Sequence, residues 1–107
     1  MKKLFLSTMF FAFIVEASNP IIVDVRTDGE WKDGFIESAI HIPLNQIAQK
    51  IESVVENKEQ TIYLYCRSGN RSGKAERLLQ DIGYINAKNI GGIKEASSTL
   101  QLKITQE

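Results

Sequence analysis

No stretch narrows the possible folds of this chain as much as residues 61–83, TIYLYCRSGNRSGKAERLLQDIG. Its first six residues, Thr61 to Cys66, form a short apolar run rich in β-branched and aromatic side chains, the composition of a buried strand. Farther along, Ala75, Leu78, Leu79 and Ile82 recur at helical spacing, which predicts a helix that begins near Ser72 or Gly73 and stops at Gly83. A buried strand that runs directly into an amphipathic helix is half of a strand–helix–strand unit, and such units build parallel sheets.

The rest of the chain repeats that alternation. PIIVDV, Pro20 to Val25, is a second apolar run rich in β-branched residues. Thr27 and Glu30 have capping-box spacing, which predicts a short helix through Trp31 and Lys32 that ends before Gly34. AIHIP predicts a brief strand terminated by Pro43, and Ile47, Ile51, Val54 and Val55 share one face of a helix over 44–55. AKNIGG reads as a short strand with a glycine turn, followed by a brief helix near Ile93 to Ala96. Leu100, Leu102 and Ile104 alternate, as either a strand edge or a frayed end would. The expected class is therefore α/β: a small parallel central sheet with helices on both faces. A unit of about 90 residues buries only some 60–65% of its unfolded surface, so its core is thin. Trp31, Phe35 and Tyr84 are assigned to packing rather than to a ligand cage.

The first seventeen residues, MKKLFLSTMFFAFIVEA, stand apart. Lys2 and Lys3 precede a nearly unbroken apolar run from Leu4 to Val15, and Val15 and Ala17 supply a small-x-small cleavage pattern. The run falls short of the roughly 20 residues of a spanning helix, so a secretory signal over 1–17 and a single exported, periplasmic domain over 18–107 are expected. The alternatives are a retained anchor or a buried first helix. Thirteen basic residues balance thirteen acidic ones, which gives no reason to expect nucleic acid or, once the signal is removed, a membrane as partner. A monomer is expected.

Export makes the only cysteine, Cys66, informative, because exported proteins commonly use cysteines in pairs. A lone one is either inert by burial or free for chemistry. Cys66 falls at the C-terminal end of a buried strand, and open parallel sheets bind ligands beyond those ends. Arg67, Ser68, Gly69, Asn70 and Arg71 follow, a composition that permits positive φ and lets successive N–H groups converge on an anion. The helix N-terminus and two guanidinium groups add positive potential. Such surroundings lower a cysteine pKa from about 8.5 to roughly 3.5–7.5, which makes the thiolate the resting form. His41, the sole histidine, sits beside Pro43 in another strand region and is assigned a structural place. One cysteine and one histidine do not make a zinc set, so no metal or cofactor is expected. A thiolate in an anion cradle without an evident proton donor suits an anionic substrate with a good leaving group. Thiosulfate fits, because attack on its outer sulfur releases sulfite.

CRSGNR resembles the active-site loop of the rhodanese (thiosulfate sulfurtransferase) family, C-x-x-G-x-R, here Cys66, Gly69 and Arg71. IIVDVRTDGEW resembles the family's opening strand with its Asp-x-Arg, here Asp24 and Arg26; GFIESAIHIPL resembles its second segment and NIGGIK its closing Gly-Gly turn. The similarity runs from about Ile21 to Ala96, and with the expected signal it is closest to the single-domain periplasmic type. Phe35 stands where the family usually has histidine, Ser38 where it usually has glycine, and the aromatic residue after the Gly-Gly turn is absent.

The resemblance implies a rhodanese-like fold in which Cys66 carries a persulfide between two half-reactions, taking sulfane sulfur from thiosulfate and passing it to cyanide or a thiol. Arg67, Ser68, Gly69, Asn70, Arg71 and Ser72 are the expected substrate-binding residues, Ser68 and Gly69 chiefly through their amides. Arg67 faces the cleft and attracts the donor, or else is a solvated surface arginine; Arg71 either touches substrate or braces the loop. Asp24 and Arg26 form a polar support beneath the loop, or else an ordinary surface ion pair. A non-enzymatic persulfide carrier is the alternative function. Phosphatases and arsenate reductases share the fold, but their C-x5-R loops are one residue longer than the spacing from Cys66 to Arg71.

Overall fold

The computed structural model describes residues 19–107; the expected signal segment, 1–17, lies outside the described residues. Four strands form a wholly parallel sheet in the order β3-β1-β4-β5, with β1 at Ile21–Asp24, β3 at Ile40–His41, β4 at Ile62–Cys66 and β5 at Ala87–Gly92. Helix α1 (Asp28–Lys32) follows β1, and a 3-10 turn (Leu44–Gln46) leads into α2 (Ile47–Val54). Helix α3 (Asn70–Asp81) joins β4 to β5, and α4 (Ile93–Leu100) follows β5.

Both faces of the sheet are covered, as the apolar runs require. On one face Val23, Ile62 and Leu64 pack with Ile47 and Ile51 of α2 and Ala75 and Leu79 of α3. On the other, Ile22 and Tyr65 pack with Ile36 and with Ala96 of α4. Each buried Val, Leu or Ile side chain contributes roughly 1.5–3 kcal/mol relative to exposure. Tyr84 is buried, and its hydroxyl donates to the Val55 carbonyl at 2.6 Å, which satisfies the one polar atom that the ring brings inside. Trp31 stacks on Phe35 at 3.8 Å and on His41 at 4.8 Å at the rim, so these aromatics pack on one another.

Several elements differ in extent from the sequence expectation. Helix α3 starts at Asn70, not near Ser72 or Gly73, because Gly69 adopts φ +101° and turns the chain straight into the helix. Leu78 and Val54 are 42% and 40% exposed: helical spacing puts them beside the buried stripe, but among the described residues no element covers them. Val55 is buried but already extended beyond the end of α2. Helix α4 runs to Leu100, beyond the short segment expected. The tail then forms β6 (Ile104–Thr105), antiparallel to β2 (Phe35–Ile36). Ile104 of β6 belongs to the alternation with Leu100 and Leu102, so of the two alternatives the tail takes the strand edge, while β2 carries no periodicity of its own.

Candidate active site

The site lies where the sheet changes direction. From β1 the chain moves outward to β3, and from β4 it moves outward to β5 on the other side, which leaves an opening beyond the carboxyl ends of these two central strands. Cys66 is the last residue of β4, and only 1% exposed. It touches the apolar cluster, but its sulfur does not face hydrocarbon alone. The Gly69 N–H donates to Sγ at 3.0 Å and the Ser72 hydroxyl lies 3.3 Å from it. Burial pushes the thiol up; the Ser72 hydroxyl, followed by the amides of Ser72, Ser68 and Gly69, outweighs burial and leaves it below its ordinary value. Hydrogen bonds from Ser72 and the loop amides thus account for the downward direction, as the expected amide cradle would, and no guanidinium is among the causes.

The two arginines of the motif divide. Arg71, on the first turn of α3, makes a two-pronged pair with Glu30, Nη1 to Oε1 at 2.7 Å and Nη2 to Oε2 at 2.9 Å. It braces the loop against α1. This pairing, with the Thr27 amide and hydroxyl also donating to Glu30, holds the Glu30 carboxyl down at about 2. Arg67 is exposed and lines an open cleft of ≈610 Å³ together with Arg26, Glu30, Asp33, Gly92 and Lys94. Ser68 and Asn70 are exposed; among the described residues the side chains of Arg67 and Asn70 take no part in the hydrogen bonds to sulfur.

Asp24 and Arg26 are no surface pair. Asp24 is fully buried, Arg26 is 6% exposed, and Nη2 meets Oδ2 at 2.7 Å while the Arg26 amide and Nε donate to Oδ1. His41 Nε2 lies 2.8 Å from the Arg26 carbonyl oxygen, on the flank of the same turn. The sequence reading missed two further participants. Asn89 bonds to Ser72, Gly69 and Gly91, and Gly92 lets β5 approach so closely that a Cβ there would overlap the Arg67 carbonyl oxygen. An extra residue in β5 opposite Leu64–Cys66 brings both under the loop. In sequence Asn89 is one polar residue in a short strand, with no signal to separate it from a solvated position.

The rhodanese-like domain model matches residues 12–99. The chain is 34% identical over 73 residues to thiosulfate sulfurtransferase PspE of Escherichia coli K12, covering 68% of this chain and 70% of that protein. It is 30% identical over 79 residues to a sulfurtransferase of Allochromatium vinosum, covering 74% of this chain and 72% of the other. An E. coli rhodanese solved with anions superposes with a TM-score of 0.76 at 28% identity, over 83% of this chain and all of that one.

Proposed function

Because the chain belongs to the rhodanese-like domain family, we propose that it is a thiosulfate sulfurtransferase that works through a persulfide on Cys66. The family and its sulfurtransferase relatives support sulfur transfer as the reaction class. The observation that carries the finer reading is the ring of donors on Sγ, with Gly69 N–H at 3.0 Å and the Ser72 hydroxyl at 3.3 Å, beside a cleft that holds Arg67 and Lys94. The thiolate attacks the outer sulfur of thiosulfate; a new S–S bond forms as the old one breaks, and sulfite departs with the electron pair. Cyanide or a thiolate then attacks the outer sulfur of the persulfide, and Cys66 leaves as thiolate. Arg67 and Lys94 attract the dianion, in a cleft that also holds Arg26, Glu30, Asp33 and Glu95.

The bond between Arg71 and Glu30 argues against phosphate or arsenate chemistry, because it leaves that guanidinium engaged outside the sulfur's donor ring. Residues 1–17 direct export in this proposal, and the exported domain acts in the periplasm. Mass spectrometry after incubation with thiosulfate should show a one-sulfur gain on the wild-type protein and none on Cys66→Ser, with thiocyanate formed only by the former. A Cys66→Ser protein that retains activity rules the proposal out. Stable loading with negligible turnover identifies a carrier in place of an enzyme.

A further inference from the structure

Ser72 has one hydroxyl proton and two acceptors for it. Its Oγ lies 2.7 Å from Asn89 Oδ1 and 3.3 Å from Cys66 Sγ. The orientation of the Asn89 amide is fixed by its neighbours: Oδ1 also accepts the Gly91 N–H at 2.9 Å, while Nδ2 donates to the Gly69 carbonyl at 3.0 Å. A flipped amide would set two donors against each other at Gly91 and two acceptors at Gly69. The Asn89 main-chain N–H is held in turn by Glu76 of α3 at 3.0 Å, so the residue is fixed by both its side chain and its backbone.

We propose that Asn89 is a positioning residue that sets the proton affinity and nucleophilicity of Cys66 by competing for the Ser72 hydroxyl proton. The inference deepens the sulfurtransferase reading and rests on it. With sulfur neutral, as thiol or as the inner atom of a persulfide, the hydroxyl donates to Asn89. With sulfur anionic, the proton turns to Sγ, a stronger acceptor because it is charged. That turn leaves Ser72 Oγ and Asn89 Oδ1 facing each other as two acceptors, a repulsion that offsets part of the stabilisation of the thiolate. The consequence is balance. A thiolate with every donor committed is a weaker nucleophile, since nucleophilicity falls as pKa falls. When the acceptor removes the outer sulfur, Cys66 regains the electron pair of the broken S–S bond and the hydroxyl swings back onto it. No proton leaves the Ser72 oxygen at any step.

The charged groups near the loop include the Asp24–Arg26 pair after β1, Glu30 of α1 with its partner Arg71, Glu76 and Arg77 of α3, Arg67 on the loop, and Lys94 and Glu95 of α4. The test is a pH titration of the thiolate by its ultraviolet absorbance without sulfur donor, referenced to Cys66→Ser. Ser72→Ala should raise the midpoint. Asn89→Ala should lower it by about half a unit or more, through loss of the competing acceptor, and should not lower it in a Ser72→Ala background. A merely structural asparagine would loosen Gly69 and raise the midpoint in both backgrounds. An unchanged or raised midpoint in Asn89→Ala, or equal shifts in the two backgrounds, overturns the proposal. If an alanine variant fails to unfold cooperatively, Asn89→Asp probes the same link with opposite sign: its rise should be larger with Ser72 present, and an equal rise refutes it. Because the titration needs no sulfur transfer, its failure leaves the sulfurtransferase reading standing, and the failure of that reading leaves the titration informative.

Discussion

Asp24 is fully buried, and its carboxylate is tolerable there only because Arg26 surrounds it with an amide, Nε and Nη2. Replacing Asp24 by alanine strands a guanidinium that is 6% exposed, and such a loss costs about 3–5 kcal/mol. Urea unfolding should show it as a lower midpoint, and a surface-like loss below about 1 kcal/mol would contradict the burial. Ser38 presents the opposite case. It holds φ +76° where the family usually has glycine, and a side chain in that region costs about 1–2 kcal/mol. Ser38→Gly should therefore stabilise the protein by up to about 1 kcal/mol, the greater freedom of glycine in the unfolded chain cancelling part of the gain. Thermal unfolding checks the sign. The sequence offered Asp24 and Arg26 as a polar support or a surface ion pair, and marked Ser38 as a departure from the family's glycine. It did not show that the first two are buried, since burial depends on Gly34, Tyr65 and the strands around them.

Helix α1 has five residues, too few to persist alone, and its existence depends on its ends. Glu30 closes the capping box with Thr27 and also receives Arg71 from the first turn of α3. Glu30→Ala removes both at once. It should cost about 1–2 kcal/mol, a cap plus a partly exposed ion pair, and under the proposed function should slow sulfur loading of Cys66 because the base of the loop is no longer tied to α1. Loading at the wild-type rate would separate the cap from the site. The capping box was legible because its partners are three residues apart. The ion pair was not, because its partners are 41 residues apart and meet only after the sheet has formed. The early start of α3 has a related cause: serine, glycine and asparagine favour turns in isolation, but Gly69 at positive φ aims its amide at Sγ and the helix begins one residue later.

Across the whole molecule, acid should act through Glu30. Its carboxyl is lowered to about 2 in the folded protein from an ordinary 4.5, so the stability it supplies is complete above the higher value and is lost as pH falls toward the lower. Unfolding midpoints measured across that window should fall for the wild type and fall less for Glu30→Ala; parallel curves would place the acid sensitivity elsewhere. The parallel sheet, the two covered faces and the position of Cys66 at a strand end were readable from residue order, because hydrophobic period and turn residues act over a few neighbours. That local chemistry determined the α/β class and marked one cysteine for attention. The Gly69 amide was expected at the sulfur, but that the Ser72 hydroxyl also reaches it, which carboxylate holds Arg71, and that Asn89 Oδ1 meets Ser72 Oγ were decided by the tertiary structure alone. Hydrogen bonds are made or lost within a few tenths of an ångström, and separations that small between distant residues exist only once the strands are in register.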